Sequence, residues 1–302
     1  MTAQSLPRDR AFFDLSHCLK LRVSGADHLR FLNGQLTNDV RKASETSAIE
    51  ACVLNAKGKM DGHLFLHPKE DCFLLDADSA LQSTLQTRLE RYIIADDVTI
   101  EDLSARLSIF HVIGEAVPKL SGATHFISVN RFGVGGHDVW IEAANHDEIA
   151  AELSKEIEFC DEECAELFRI EQGIPRWSFE LTNEIIPVEA NLEARCIDYE
   201  KGCYIGQETI SRMKMSGQRN KRLCGLVSMK DIPFIPGKRI VANDKDVGWV
   251  TSATQIAGRE IALGYVKRGF NSVGGRLQAF AAENAAIPTE IVDLPFSRNV
   301  PS

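Results

Sequence analysis

From about Lys221 onward the chain changes texture: short apolar runs punctuated by glycines replace longer and less regular segments. Strands are predicted over 223–228, 239–242, 247–253, 261–266 and 276–280, with Gly237, Gly248, Gly264 and Gly274-Gly275 between or within them. Five short strands at regular spacing in roughly eighty residues predict a small closed barrel, which leaves no unpaired edge. The chain is therefore expected to divide at 1–220 and 221–302.

The first part reads as mixed α+β. Leu19 to Val23 alternates like a half-buried strand, 26–35 has a helical pattern, and strands are expected at 48–54 and 63–67. Asp78 is a candidate N-cap for a helix whose Leu81, Leu85, Leu89 and Tyr92 form one apolar stripe, which belongs to the core. Further strands are predicted at 98–100, 107–113 and 139–142. The glycine cluster at 131–136 does not spell a nucleotide-binding Gly-x-Gly-x-x-Gly and is read as a turn.

The strongest chemical signal is Lys201-Gly202-Cys203-Tyr204-Ile205-Gly206-Gln207-Glu208. A thiolate is the reactive form of cysteine, and a neighbouring cation or a helix N-terminus favours it. Lys201 is a candidate for that cation, and the run from Glu208 to Lys214 reads as helical. Gly202 and Gly206 allow backbone conformations and close approaches closed to other residues. The plain alternative is a small buried thiol in a tight connection.

These residues resemble the signature of the YgfZ group, folate-binding iron-sulfur assembly proteins related to the aminomethyltransferase, or T protein, of the glycine cleavage system. Six other stretches resemble the same family in order: 24–40, 54–60, 169–175, 187–193 and, near the C-terminus, 247–253 and 261–266. The resemblance implies two intertwined, ferredoxin-like α+β units and a C-terminal β-barrel, three subdomains around a central folate channel. It also implies folate contacts at Glu171, where a carboxylate would accept two hydrogen bonds from the pterin edge, and at Tyr204, Asn55 and His63. The family's transferases carry a catalytic acidic pair that aligns here with Gly62 and His63, so aminomethyl transfer is not expected. Asp61 is one residue off, and a one-residue shift turns a strand side chain to the other face.

A net charge of -9 disfavours general nucleic-acid binding. Locally, Arg212, Lys214, Arg219, Lys221 and Arg222 form a run without acids after the cysteine loop, a candidate dock for an anion such as a folate tail, or a solvated connection. The composition, 44% hydrophobic and 25% charged, is that of a globular protein. Residues 1–15 lack the apolar run of a secretory signal and no stretch reaches the ~20 apolar residues of a membrane span, so a cytoplasmic location without membrane association is expected. The 8 cysteines include no Cys-x-x-Cys pair; they are read as reduced thiols, with Cys160 and Cys164 on a helix face, and no resident metal is expected. His63 and His67 would lie on one strand face roughly 13 Å apart, too far to share an ion.

Three functions remain open on this reading. The resemblance implies an accessory protein that binds tetrahydrofolate and assists iron-sulfur client enzymes, including tRNA-modifying ones, through Cys203, with a transient iron-sulfur cluster as one form of that role. The others are a true aminomethyltransferase that recruits Asp61, and a folate-binding regulatory module without turnover.

Overall fold

A computed structural model describes residues 10–114, 120, 123–281 and 285–296; the leader reading thus concerns a stretch of which 1–9 lie outside the described residues. Three sheets organise the chain. The strands β1 (Ala11–Asp14), β7 (Leu107–Ile113), β8 (Ala123–Val129), β9 (Gly136–Glu142) and β10 (Glu158–Cys160) form one sheet in the order β10-β1-β7-β9-β8. The strands β2 (Leu19–Ser24), β3 (Ile49–Leu54), β4 (Met60–Lys69), β5 (Cys72–Ala77) and β6 (Thr99–Asp102) form a second, ordered β3-β4-β5-β2-β6. The chain thus enters the first sheet, builds the second and returns to the first, which is the interweaving the resemblance implies.

Helices cover each sheet. Phe31 and Leu32 of α1 (His28–Gln35) and Leu85 and Leu89 of α2 (Leu85–Glu90) are buried with Val53, Leu64 and Leu75 on the second sheet. Ile149 and Leu153 of α3 (His146–Leu153) and Phe168 of α4 (Glu162–Gln172) do the same on the first. Between the sheets a wholly buried charge network joins Arg131, Asp76, Asp138, His67 and His111. Arg131 bonds both carboxylates, at 2.7 Å to Asp76 and 2.6 Å to Asp138, and its guanidinium holds both below the usual carboxylate range against the cost of burial.

The barrel is made of β11 (Lys221–Ser228), β12 (Arg239–Ala242), β13 (Lys245–Ile256), β14 (Arg259–Lys267), β15 (Arg276–Phe280) and β16 (Ala286–Val292), closed in the order β11-β14-β13-β12-β15-β16. It has six strands, not the five expected. Pro288 in β16 masked the sixth, because proline cannot donate to a ladder; its carbonyl still accepts from Met229 N at 2.9 Å.

Two other expectations are corrected. The helix expected from Asp78 to Tyr92 is broken: Asp78 caps a single turn at Ser79–Leu81, and α2 begins only at Leu85. Thr84 Oγ1 donates to Leu81 O at 3.3 Å, the local side-chain bond that lets threonine compete with helix. Cys160 and Cys164 are not reduced thiols on one helix face but a disulfide. Cys160 ends β10 while Cys164 opens α4 behind the N-cap Asp161, so the pair spans a strand-to-helix turn with Cα atoms 5.4 Å apart. Among the described residues no helix is long and apolar enough to cross a membrane.

Candidate functional site

Three of the sequence landmarks meet around Cys203. The segment following the short helix α5 (Glu193–Cys196) runs to Gly206, the N-cap of α6 (Gln207–Ser216), at φ 86°. A Cβ on Gly206 would lie 2.7 Å from Asn55 O, and one on Gly58 would lie 2.8 Å from Thr209 Cβ. The 55–59 turn and the start of α6 therefore touch backbone to backbone, and only glycine permits it. Asn55 shapes that turn from within, its Oδ1 accepting from Lys57 N at 2.9 Å and Lys59 N at 3.2 Å.

Lys201 anchors the same loop to the 33–38 segment. Its ammonium donates to Asn33 O, Leu36 O and Asn38 O at 2.7, 2.6 and 2.8 Å. Burial lowers its pKa to about 8, against the pull of Asp39 and Asp198. The expected partnership of Lys201 with the thiol is corrected on this point: all three N–H donors are spent on carbonyls, so the side chain acts as a buried staple. Tyr204 is likewise not a free platform for a planar ligand, because its ring is buried beneath the same ammonium, 5.1 Å from the centroid, and burial pushes its hydroxyl up to about 12.

Cys203 and Gly202, by contrast, are exposed. Cys203 is the exposed member of the six free cysteines; Cys18 is half-buried, and Cys52, Cys72, Cys196 and Cys224 are buried. The loop thus projects one thiol outward from a rigid base.

The basic run that follows is not a bare cation patch. Arg212 pairs with Glu208 at 2.5 Å, Glu193 takes both Lys214 at 2.9 Å and Arg219 at 2.5 Å, and Glu189 takes Lys221 at 2.9 Å. The neutralising acids stand upstream or across a tertiary contact, which a charge count along 212–222 does not reveal. The anion-binding reading of Arg212 and Lys214 is corrected accordingly.

The vacated transferase position is explained by packing. A Cβ on Gly62 would lie 2.9 Å from Leu85 Cδ1, so this face of β4 is filled by α2. The strand pairing sets Gly62 opposite Val53 and Met60 opposite Leu54, leaving Asp61 as an extra, bulged residue. Asp61 accepts from Arg88 Nε at 2.6 Å and lines a cavity of about 590 Å³ with Arg88, Thr84, Trp177 and Thr182. Of the expected folate residues, none of Glu171, Tyr204, Asn55 and His63 lines that cavity. Glu171 stands half-buried on α4 two residues from Arg169, which ties α4 to the barrel through Glu180 at 3.0 Å and Ser252 at 2.7 Å.

His63 belongs to a separate group that sequence reasoning missed. Its Nε2 lies 2.7 Å from Glu50 Oε1, while Arg195 Nε donates to Glu50 Oε2 at 2.6 Å. Cys196 completes the group, with ligand atoms of Glu50, His63 and Cys196 all within 4.8 Å of one another. Burial opposes the imidazolium, yet the hydrogen bonds with Cys196 and Glu50 raise His63 to about 10. Burial, the Cys52 contact and the Glu50 charge push the Cys196 thiol well up. The only sequence trace was the strand pair that sets Cys52 opposite His63; Cys196 arrives from far along the chain.

Known proteins share this architecture throughout. The GCVT N-terminal domain model matches residues 4–144 and the glycine cleavage T-protein C-terminal barrel domain model matches 221–297. The tRNA-modifying protein YgfZ of Aliivibrio fischeri is 29% identical over 225 residues, covering 71% of this chain and 70% of the relative. A mitochondrial iron-sulfur cluster assembly factor IBA57 homolog of Dictyostelium discoideum is 25% identical over 253 residues, 70% of this chain and 61% of its own length. The crystal structure of the glycine cleavage system aminomethyltransferase T from Bartonella henselae superposes with a TM-score of 0.84 at 18% identity, over 96% of this chain and 87% of that one, a likeness of fold. The chain belongs to the glycine cleavage T-protein superfamily and is a YgfZ-type member of it.

Proposed function

We propose that the protein is a folate-binding accessory factor for the assembly or repair of iron-sulfur enzymes, including tRNA-modifying ones, with Cys203 as its working thiol. The observation that carries this reading is the exposure of Cys203 on a loop whose neighbours are locked by Lys201 and by the close approach of Gly206 to Asn55 O. A thiol that must meet a cluster or a client protein has to be accessible, and a fixed base reduces the entropy lost on docking. The likeness to relatives described as a tRNA-modifying protein and an iron-sulfur cluster assembly factor supports the same role.

Tetrahydrofolate suits the carboxylate and aromatic chemistry available here. The cavity beside Asp61 and Trp177 falls within the size range of small-molecule sites, while Glu171, the carboxylate that the resemblance assigns to the pterin edge, stands on α4 outside its lining. When bound, folate would supply a one-carbon carrier. A second reading, folate-dependent aminomethyl transfer, draws on the bulge that turns Asp61 toward that cavity.

Deleting the gene in its host and restoring it as wild type, Cys203→Ala or Asp61→Asn separates the two. Wild type and Asp61→Asn should restore an iron-sulfur-dependent tRNA-modifying activity, and Cys203→Ala should not. Equal rescue by Cys203→Ala overturns the role of the thiol. Failure of Asp61→Asn alone moves the transferase reading ahead.

A further inference from the structure

We propose that Glu50, His63 and Cys196 form a site for one divalent zinc-class ion, with Cys52 as the adjoining thiol. The site is independent of Cys203 and of the folate reading. Carboxylate, imidazole and thiolate are together the donor set that Zn²⁺ and its analogue Co²⁺ accept, in three-ligand sites that keep a fourth position open.

Three rigid elements supply the donors. Glu50 and Cys52, two residues apart, share one face of β3, and His63 stands opposite Cys52 on β4. Cys196 ends α5, and Thr37 pins that end to β3: its Oγ1 donates to Cys196 O at 2.5 Å and accepts from Cys52 N at 2.9 Å. Arg195 holds Glu50 through Oε2, leaving Oε1 as the oxygen that faces His63. Such outer partners orient the ligands of a metal site, and here they already fix the carboxylate.

Ion entry has a route. The Cys196 side is closed, whereas the His63 side chain is 16% exposed. Binding replaces the 2.7 Å hydrogen bond between His63 and Glu50 with two bonds to one ion, which sets their donor atoms about 3.3 Å apart at tetrahedral geometry. For this pair the movement required is a fraction of an ångström, and Cys196 Sγ lies within 4.8 Å of both atoms. Ligation requires a thiolate and a neutral imidazole, so the thiol proton, and any proton that the imidazole carries, leave to solvent as the ion enters.

The test uses full-length Cys203→Ser protein, stripped with chelator and titrated with Co²⁺, so that the exposed thiol cannot contribute. A sulfur-to-cobalt charge-transfer absorption should saturate at one ion per chain and be reversed by Zn²⁺. Adding Cys196→Ser should abolish that band, and adding His63→Gln should weaken binding by at least ~10-fold. Absence of the band in folded Cys203→Ser protein, its persistence after Cys196→Ser, or unchanged affinity after His63→Gln overturns the site. Circular dichroism establishes the fold of each variant, and His63→Gln decides the matter if Cys196→Ser does not fold. Because Cys203 is removed throughout, no outcome here bears on its proposed role.

Discussion

Cys196 and Cys203 stand seven positions apart in one segment, yet they occupy opposite chemical worlds. Cys196 is wholly buried against Cys52, His63 and Glu50, whereas Cys203 faces solvent. Between them the chain passes from the protein interior to the molecular surface, and Lys201 within that stretch and Tyr204 just beyond it are its buried pegs. A cysteine's sequence neighbourhood therefore says little about its reactivity; what matters is which side of the loop its Cβ leaves from.

The sharpest challenge to this contrast is differential alkylation. Under native conditions iodoacetamide should label Cys203 at the rate of a free thiol, while Cys196 and Cys52 react only through opening of the structure, slower by a factor on the order of 10³ or more. Peptide mass spectrometry over time reads both rates at once. Comparable labelling of Cys196 and Cys203 would mean that the 193–206 segment is not packed as described.

Lys201 tests the base of the loop. Lys201→Met keeps most of the side-chain volume but leaves Asn33 O, Leu36 O and Asn38 O without their shared donor, and is expected to cost about 2–4 kcal/mol in urea unfolding. If the lysine served only to tune Cys203, stability would stay unchanged while alkylation of Cys203 slowed.

The buried side of the comparison carries a pH signature. In protein freed of metal, His63 faces Glu50 and Cys196, with Cys52 and Arg195 adjoining, and its folded pKa is raised to about 10 from an ordinary value of 6.5. A group raised on folding contributes stability that is complete below about 6.5 and is lost as pH climbs through about 10. Between those limits the folded state holds a proton that the unfolded chain lacks, so His63 lowers stability by up to about 1.4 kcal/mol per pH unit. Lys201, lowered to about 8, acts in the opposite sense from about pH 8 to 10.5, which is why the comparison must be made against His63→Gln. Identical slopes for the two proteins would remove the proton from His63.

These effects also show what was legible in the sequence. The barrel was readable because glycine punctuation and apolar alternation are local signals, and its one hidden strand was the one that carries Pro288. The loop was readable through Gly206, whose φ of 86° and approach to Asn55 O require glycine; Gly202, expected to serve the same way, has open space where a Cβ would stand and no positive φ. What escaped was chiefly what a partner far along the chain decides: the acids Glu193 and Glu189 that neutralise Lys214, Arg219 and Lys221, the carbonyls that claim Lys201, and the approach of Cys196 to His63. The disulfide escaped for a nearer reason, since a four-residue spacing fits a helix face as well as the strand-to-helix turn that Cys160 and Cys164 span.

The smallest expected effect is on the stability of Cys203→Ala. An exposed side chain whose neighbours do not depend on it should change unfolding free energy by no more than ~0.5 kcal/mol. The same substitution in the buried partner, Cys196→Ala, removes the thiol that His63 and Cys52 contact and leaves polar groups short of a partner, for a loss of about 1–3 kcal/mol. Urea unfolding of the two variants side by side is therefore a direct reading of the contrast. A large loss in Cys203→Ala would place that thiol among the structural residues and would make any failure of rescue a failure of folding; a negligible loss leaves accessibility as the property that this cysteine contributes.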